Sequence, residues 1–599
     1  EKAEMLVRLR EGVTAEQALQ QLKANYAVHS EGYPWAREVA EAGFSIHVTE
    51  LHEDHIAAAR PVILLLQAGA LGLLLVGAAN LLNLLLLRHV AAQNSLSIRW
   101  ALGARRGDLI KPAMVEILLL CLVGGALAWL LARVGLQFWG SQQLPLGADL
   151  SMGGESFLLA LGASLALGAA LCAVFAWLGS REPKSMGVSG STRSRTEDRR
   201  TLLLRRQFAI VQLSLAFMLM AGASALGLGL EAARRSDPGF EPALSVAAAL
   251  DLPAATYPDV AARLAFAERA MPSIKSQPGI EAVGFSTNLP VRGRGSENNR
   301  QAINVVGYVP QAGRSPLLHN RYGVAGDYFQ SMGIALREGR LLDQRDRDGS
   351  TRAVVIDEDF ASFYWPRGQA VGQRLFNGPD AEGFGDAYTV VGVVAAVRQG
   401  EINASSGNGT LYFPYSQLAQ ANVFISARAA SSAESVVSLL RSQLAAVDPA
   451  LALDDVRPMQ ARIDDTLATH RAPAMLSALF AFAALLLAAL GTLGQLAYAV
   501  NQNRREIGMR MALGAKPAQI TRRYLGFGMR VFAFGATWGL LGSALLLQAV
   551  ASYLPDVPAA NLPAMIASAI ILCGVTIVAS LAPAIRASNT SPMAVLGEH

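Results

Sequence analysis

The sequence predicts an α-helical integral membrane protein with an α+β domain outside the bilayer, and three observations carry that expectation. Seven segments are apolar and long enough to cross a hydrocarbon layer, Lys and Arg crowd alternate loops between them, and a polar stretch from 231 to 472 interrupts the series. Composition agrees: of 599 residues 52% are hydrophobic and 16% charged, with a mean hydropathy of +0.32, which lies on the membrane side of the averages for soluble domains. A net charge of +5 would suit nucleic acid as well as a membrane, so the placement of the basic residues decides between them. Cys121, Cys172 and Cys573 all fall inside apolar runs and read as small buried hydrophobes, without a disulfide framework or a zinc site.

Taken in order, residues 1–60 read as the last part of a first outer domain, with a strand, a turn and an amphipathic helix in LVRLREGVTAEQALQQLKANY (6–26) and a strand-like FSIHVTEL (44–51). The expected spans lie near 61–87, 113–132, 157–179, 207–230, 473–500, 531–550 and 563–583. The domain plan that follows is a three-span unit over 61–180, a basic linker over 181–206 and a lone helix over 207–230. After it come an outer α+β domain over 231–472, a second three-span unit over 473–585 and a tail over 586–599. Within the outer domain, AVVIDEDF (353–360) and YTVVGVVAAV (388–397) read as strands, with helices near 257–275 and 432–446. The linker GSREPKSMGVSGSTRSRTEDRR (179–200) reads as a flexible cytoplasmic tether, the alternative being a contact with anionic lipid.

Charge sets the direction of the spans. Residues 88–111 hold five basic residues against Asp108, residues 181–206 hold eight against three acids, and residues 504–530 hold seven against Glu506. Loops 134–156 and 551–562 hold no Lys or Arg but carry Asp149, Glu155 and Asp556. The first three are therefore expected inside and the last two outside, which puts 1–60 and 231–472 outside and the tail inside. Glu116 and Arg530 sit near the inner ends of spans; ionisable groups there are functional candidates by default, and snorkelling gives the ordinary explanation.

The chain also repeats itself. Ile98–Ala104 reads IRWALGA and Met509–Ala515 reads MRMALGA, an offset of 510 − 99 = 411. Each copy of the repeat runs as an apolar span, the basic turn, a second span, a short acidic outer loop, a third span and a polar cytoplasmic segment. Strand-and-helix sequence precedes both, as in VFISARAASSAESVVSLLRSQLAAV (423–447) and LALDDVRPM (451–459) ahead of the second copy. The second copy has a leading span at 207–230, so the expectation is a full chain of eight spans and two outer domains, with Glu1 marking an N-terminal truncation.

RREIGMRMALGAKPAQITRRYL (504–525) resembles the cytoplasmic signature of FtsX/MacB-type ABC transporter permeases. SDPGFEPALSVAAALDLP, YPDVAARLAFAERAM, QPGIEAVGFSTNLPV, GDYFQSMGIALREGRLL and WPRGQAVGQRLF are similar to the MacB-like periplasmic core domain, and LAPAIRASNTSPMAVLGEH is similar to the family's C-terminal segment. The arrangement looks like the duplicated permeases with two fused FtsX units. The resemblance implies a bacterial inner-membrane permease that passes ATP-driven movement to its periplasmic domain, for export or extraction. It also implies that each turn is a coupling helix docked on an ABC ATPase, formed by Arg99, Leu102, Gly103 and Ala104 in one copy and Arg505, Glu506, Arg510, Leu513, Gly514 and Ala515 in the other. The first copy departs from the pattern, with Asn94-Ser95-Leu96-Ser97 where the second has Arg505-Glu506-Ile507-Gly508.

The leucines of these turns suit a partner's groove, and the glycines suit a helix stop. GARRGDLI (103–110) and GAKPAQIT (514–521) lack the Gly-Lys-Ser/Thr of a phosphate loop, so ATP and magnesium are expected in a separate ATPase subunit, a homodimer matching the two halves, and no cofactor or metal is expected on this chain. His52-Glu53-Asp54-His55 is one residue short of a zinc motif and reads as a solvated helix, and RGRGSENNR (292–300) reads as a loop. No catalytic spacing is present, so no enzyme activity is expected. Besides the ATPase and lipid, the expected partners are a periplasmic adaptor, substrate or hydrolase, and nucleic acid is not among them. Two other readings remain: a signalling relay to a periplasmic hydrolase, and a secondary carrier, whose midplane polar sites are hinted at by Gln67, Asn80 and Asn83.

Overall fold

The computed structural model describes residues 7–30, 46–51, 53, 60–102, 106–143, 152–180, 199–291, 300–308, 317–346, 352–377, 387–399, 409–451, 453–551 and 562–588. In chain order, α1 (Ala15–Ser30) precedes the long helices α2 (Arg60–Ala101), α3 (Arg106–Gln143), α4 (Gly154–Ser180) and α5 (Arg199–Arg235). Then come β1 (Ser245–Asp251), α6 (Val260–Lys275), β2 (Ile280–Ser286), β3 (Arg300–Val305), β4 (Leu318–Gly326), α7 (Tyr328–Met332) and β5 (Leu336–Gly339). These lead to β6 (Ala353–Asp357), α8 (Glu358–Tyr364), β7 (Arg374–Asn377), β8 (Tyr388–Val394), β9 (Thr410–Pro414), β10 (Asn422–Ala429), α9 (Ala433–Val447) and β11 (Leu453–Pro458). The helices α10 (Met459–Gln502), α11 (Arg504–Ala512), α12 (Pro517–Ala551) and α13 (Leu562–Ser588) follow. The chain divides into two units, Glu1–Ala58 with Ala232–Thr469 and Ala59–Glu231 with His470–His599.

The second unit contains the membrane helices. Seven helical stretches among the described residues are long and apolar enough to span, from Ile63–Leu86 to Leu562–Ser588, as the hydropathy of the sequence led one to expect. Their outer surfaces leave Leu131, Leu159, Ile570 and Val578 exposed, which suits contact with acyl chains. Two large cores and two smaller clusters are found among its described residues. Leu82, Leu85, Ile117, Cys121, Leu171 and Phe175 join α2, α3 and α4, and Leu213, Phe217, Ala484, Val531 and Leu572 join α5, α10, α12 and α13. Leu73 of α2 packs on the second core, so the two halves of this unit touch through α2.

The outer unit is built on one sheet in the order β11-β1-β10-β2-β4-β3-β7-β8-β6-β9, with β5 added to β8. Because β9 also pairs in parallel with β4, setting Tyr322 opposite Tyr412, the run from β4 to β9 closes into a small barrel around Val354, Ile356, Leu375, Val390, Leu411 and Phe413. The open part is covered by α6 and α9. Along α9 the apolar positions recur at helical spacing, and Val436, Leu440 and Leu444 are buried against the sheet beside Phe266, Ala270 and Ile274 of α6. Burying each large side chain contributes roughly 1.5–3 kcal/mol.

Differences from the sequence reading have local causes. Residues 353–360 were expected to be one strand, but the strand ends at Asp357, whose carboxylate accepts the Phe360 N–H at 2.9 Å and starts α8. Residues 7–10 and 46–50 are not strands, although α1 forms where a helix was expected. A strand is stabilised by its neighbours, and none pairs with these two segments among the described residues, whereas β10, the corresponding stretch of the second copy, is held between β1 and β2.

Candidate functional site

The second ALGA turn is described completely, and its sequence explains its shape. Asn503 interrupts the long helix: its φ of −93° and ψ of 13° leave the helical well, and its Nδ2 donates to Ala499 O at 2.8 Å. The helix α11 follows at once and ends at Gly514, which has a φ of +94°, a left-handed conformation that glycine adopts without a Cβ penalty. Two hydrogen bonds fix this end, Gly514 N to Met511 O and Ala515 N to Arg510 O, both at 3.0 Å, the paired geometry of a Schellman cap. Pro517 then occupies the first position of α12, where a missing N–H costs nothing.

One face of α11 is packed and the other is open. Ile507 is buried with Val500, Ile520 and Ala587, so α11 rests on the ends of its neighbouring helices. Leu513 projects outward with 89% of its surface exposed, and Met509 beside it is half exposed. Glu506 is not free to meet a partner: its Oε1 accepts from Arg510 Nη2 at 2.6 Å and lies 3.5 Å from Arg523 Nη1. Glu506 therefore stiffens the turn from within through Arg510 and Arg523 and not through its neighbour Arg505, which is exposed, while Ala515 is half buried. What remains to meet another surface is an apolar knob within a basic rim.

The first copy differs. Here α2 continues without a break to Ala101, and the position matching Asn503 is Ala92, the strongest helix former in place of a residue that favours a break. Leu102 lies in the turn with 82% of its surface exposed, like Leu513. Arg99 lies on the helical backbone of α2, and Gly103 and Ala104 lie outside the described residues.

Other sequence candidates have ordinary roles. Glu116 pairs with Arg88, and Arg530 Nε donates to Gly526 O of its own helix at 3.2 Å. Cys121 and Cys172 are buried and Cys573 is half buried, all three as free thiols. His52, Asp54, His55, residues 292–299 and linker residues 181–198 lie outside the described residues. Sequence reasoning missed the polar positions Arg205, Gln212 and Gln495, all buried in the membrane unit. The seven-residue spacing of Arg205 and Gln212 on one helix face was the available signal.

Seven apolar spans, an α+β outer unit and a knob-bearing basic turn define a multi-pass membrane protein with an extracytoplasmic core domain. Family models locate the parts: the FtsX-like permease C-terminal domain matches residues 68–184 and again 478–592, and the MacB-like periplasmic core domain matches 213–443. The chain is an FtsX-like permease of the ABC permease family, with two FtsX domains flanking a MacB-like periplasmic core domain. All matched models are permease parts, and no ATPase domain is found in this chain. It is similar to the macrolide export ATP-binding/permease protein MacB of Aggregatibacter actinomycetemcomitans, with 28% identity covering 37% of this chain and 34% of that one. An uncharacterized ABC transporter permease of Bacillus subtilis, YvrN, is 26% identical over 46% of this chain and 69% of its own length. The crystal structure of the periplasmic region of MacB from Actinobacillus actinomycetemcomitans matches 37% of this chain and 92% of that chain at 17% identity, with a TM-score of 0.25. The chain thus spans about a third of the length of that MacB.

Proposed function

We propose that this permease is a mechanotransmitter: a separate ATPase bound at the two ALGA turns moves the membrane helices, and the periplasmic domain does work on a substrate by export or extraction. FtsX-type permeases function with ABC ATPases, and the observation that carries the reading is the exposed Leu513 on a turn fixed by a Schellman cap and seated against α12 and α13. A knob on a rigid mount passes on force, whereas one on a flexible loop would absorb it. Leu102 and Leu513 enter grooves of the partner, Arg505 and Arg510 line the basic rim, Gly514-Ala515 shapes the stop, and Arg99, Gly103 and Ala104 are assigned the matching roles by resemblance. Glu506 positions Arg510. The ATPase is a homodimer that carries ATP and magnesium, one permease chain serves two ATPase chains, and the membrane is the bacterial inner membrane.

The unbroken course of the described spans supports this reading over a secondary carrier, which builds its midplane site from discontinuous helices. The test is co-purification with the ATPase and its hydrolysis rate in lipid. Leu513→Asp removes an apolar anchor worth about 2 kcal/mol, so association is expected to weaken about thirtyfold, with loss of stimulated hydrolysis. Unchanged association in both Leu513→Asp and Leu102→Asp would overturn the docking assignment.

A further inference from the structure

Where the two halves of the membrane unit meet, buried amides gather on three facing helix surfaces. Asn80 and Asn83 lie one turn apart on α2, Gln212 on α5 and Gln495 on α10, and all four are buried. Gly491 marks where these amides meet. A Cβ at that position would lie 2.7 Å from both amide atoms of Gln212 and 3.1 Å from Asn80 Oδ1, so a side chain there would have to displace the amide ends. Gln212 Nε2 donates to Leu487 O at 2.7 Å. Asn80 Oδ1 and both amide atoms of Asn83 have no hydrogen-bond partner in the protein, although Asn83 is only 1% exposed. Seven residues before Gln212, Arg205 lies 4.5 Å over the ring of Tyr498, seven residues after Gly491, so the same helix faces stay together along the seam.

Amides left without partners in hydrocarbon are strongly penalised, and an apolar side chain of the same volume would avoid the cost entirely. We propose that this seam is a water-binding site inside the membrane unit, in which ordered water donates to Asn80 Oδ1 and Asn83 Oδ1 and accepts from Asn83 Nδ2. The donors and acceptors suit the two to four hydrogen bonds of a buried water. A cation is disfavoured, because the groups that form the seam are neutral amides with the Arg205 guanidinium at one end. Asn80 and Asn83 belong to the first half and Gln212, Gly491 and Gln495 to the second, so the water lies on the contact between halves. Hydrogen bonds to water can be exchanged as helices shift, whereas interlocked apolar side chains must be pulled apart.

The site requires no ATPase and is testable on the full chain in lipid bilayers. Water-edited solid-state NMR of the protein labelled with 15N-asparagine, compared with Asn83→Leu, isolates the Asn83 amide. Rapid polarisation transfer from water to that amide is expected, and transfer as slow as that of lipid-buried groups would overturn the proposal. Thermal unfolding gives a second reading. A dry, unpaired amide predicts that Asn83→Leu raises Tm, whereas a hydrated one predicts a lower Tm, because leucine displaces water that also serves Asn80. Asn83→Ala, which leaves room for more water, replaces Asn83→Leu in the NMR comparison if that variant fails to fold.

Discussion

Asp357 shows how one residue can set the response of a domain to pH. It caps α8 from a fully buried position, and loss of solvent pushes its carboxyl up to about 7, against the opposing pull of the Phe360 N–H. An acid whose pKa is higher in the folded state binds its proton more tightly there, so this group's contribution to stability is greatest below about pH 4 and is lost as pH rises to about 7. Asn keeps the capping oxygen without the buried charge. Asp357→Asn is therefore expected to stabilise the outer unit by on the order of 2–4 kcal/mol at pH 8 and to have little effect at pH 4, as measured by thermal unfolding at both values. A variant less stable than the parent at pH 8 would show that the ionised carboxylate is favoured after all.

At the scale of elements, the two copies of one heptapeptide give different helices. The second copy bends at Asn503 and is closed by Gly514, and the first runs straight through Ala92 to Ala101. Gly514→Ala meets no neighbouring atom but forces a Cβ into a φ of +94°, at a cost of about 1 kcal/mol. Faster hydrogen exchange at Ala515, with the rest of α12 unchanged, is the expected sign. Ala92→Asn, which brings the first copy closer to the second, is expected to raise exchange at the end of α2. In the outer unit, Leu440→Ala opens a cavity under α9 and is expected to cost about 2–5 kcal/mol, measured by denaturant unfolding.

At the scale of the molecule, the proposed mechanism expects both basic turns on the cytoplasmic side, as the positive-inside rule does. Leu102 and Leu513 are both largely exposed, so cysteines placed there are expected to react with an impermeant thiol reagent only from the cytoplasmic face of sealed vesicles. A cysteine at the exposed Ser435 of α9 is expected to react only from the opposite face. Labelling of positions 102 and 513 from opposite faces would break both the assigned topology and the paired-turn mechanism.

The spans were legible because a membrane helix satisfies its own backbone and shows its surroundings in its composition, so the seven runs required no knowledge of partners. The strands β6, β8 and β10 were legible as short β-branched apolar runs, and the helices α6 and α9 from an apolar periodicity that records which face is buried. The turn at Gly514 could be read from ALGAKP, since a left-handed stop followed by proline is a local conformational matter. Closure of the barrel was not local. It depends on β4 meeting β9, residues 320–324 beside 410–414, and strand pairing over such a distance leaves no mark on either strand alone. Nor did the sequence reveal the amide seam as a unit, for Asn80 and Gln212 lie in apolar runs far apart in the chain and become neighbours only when α2, α5 and α10 pack at Gly491. Composition and periodicity fix what each segment must bury. Which segments bury it together is decided by packing across the whole chain.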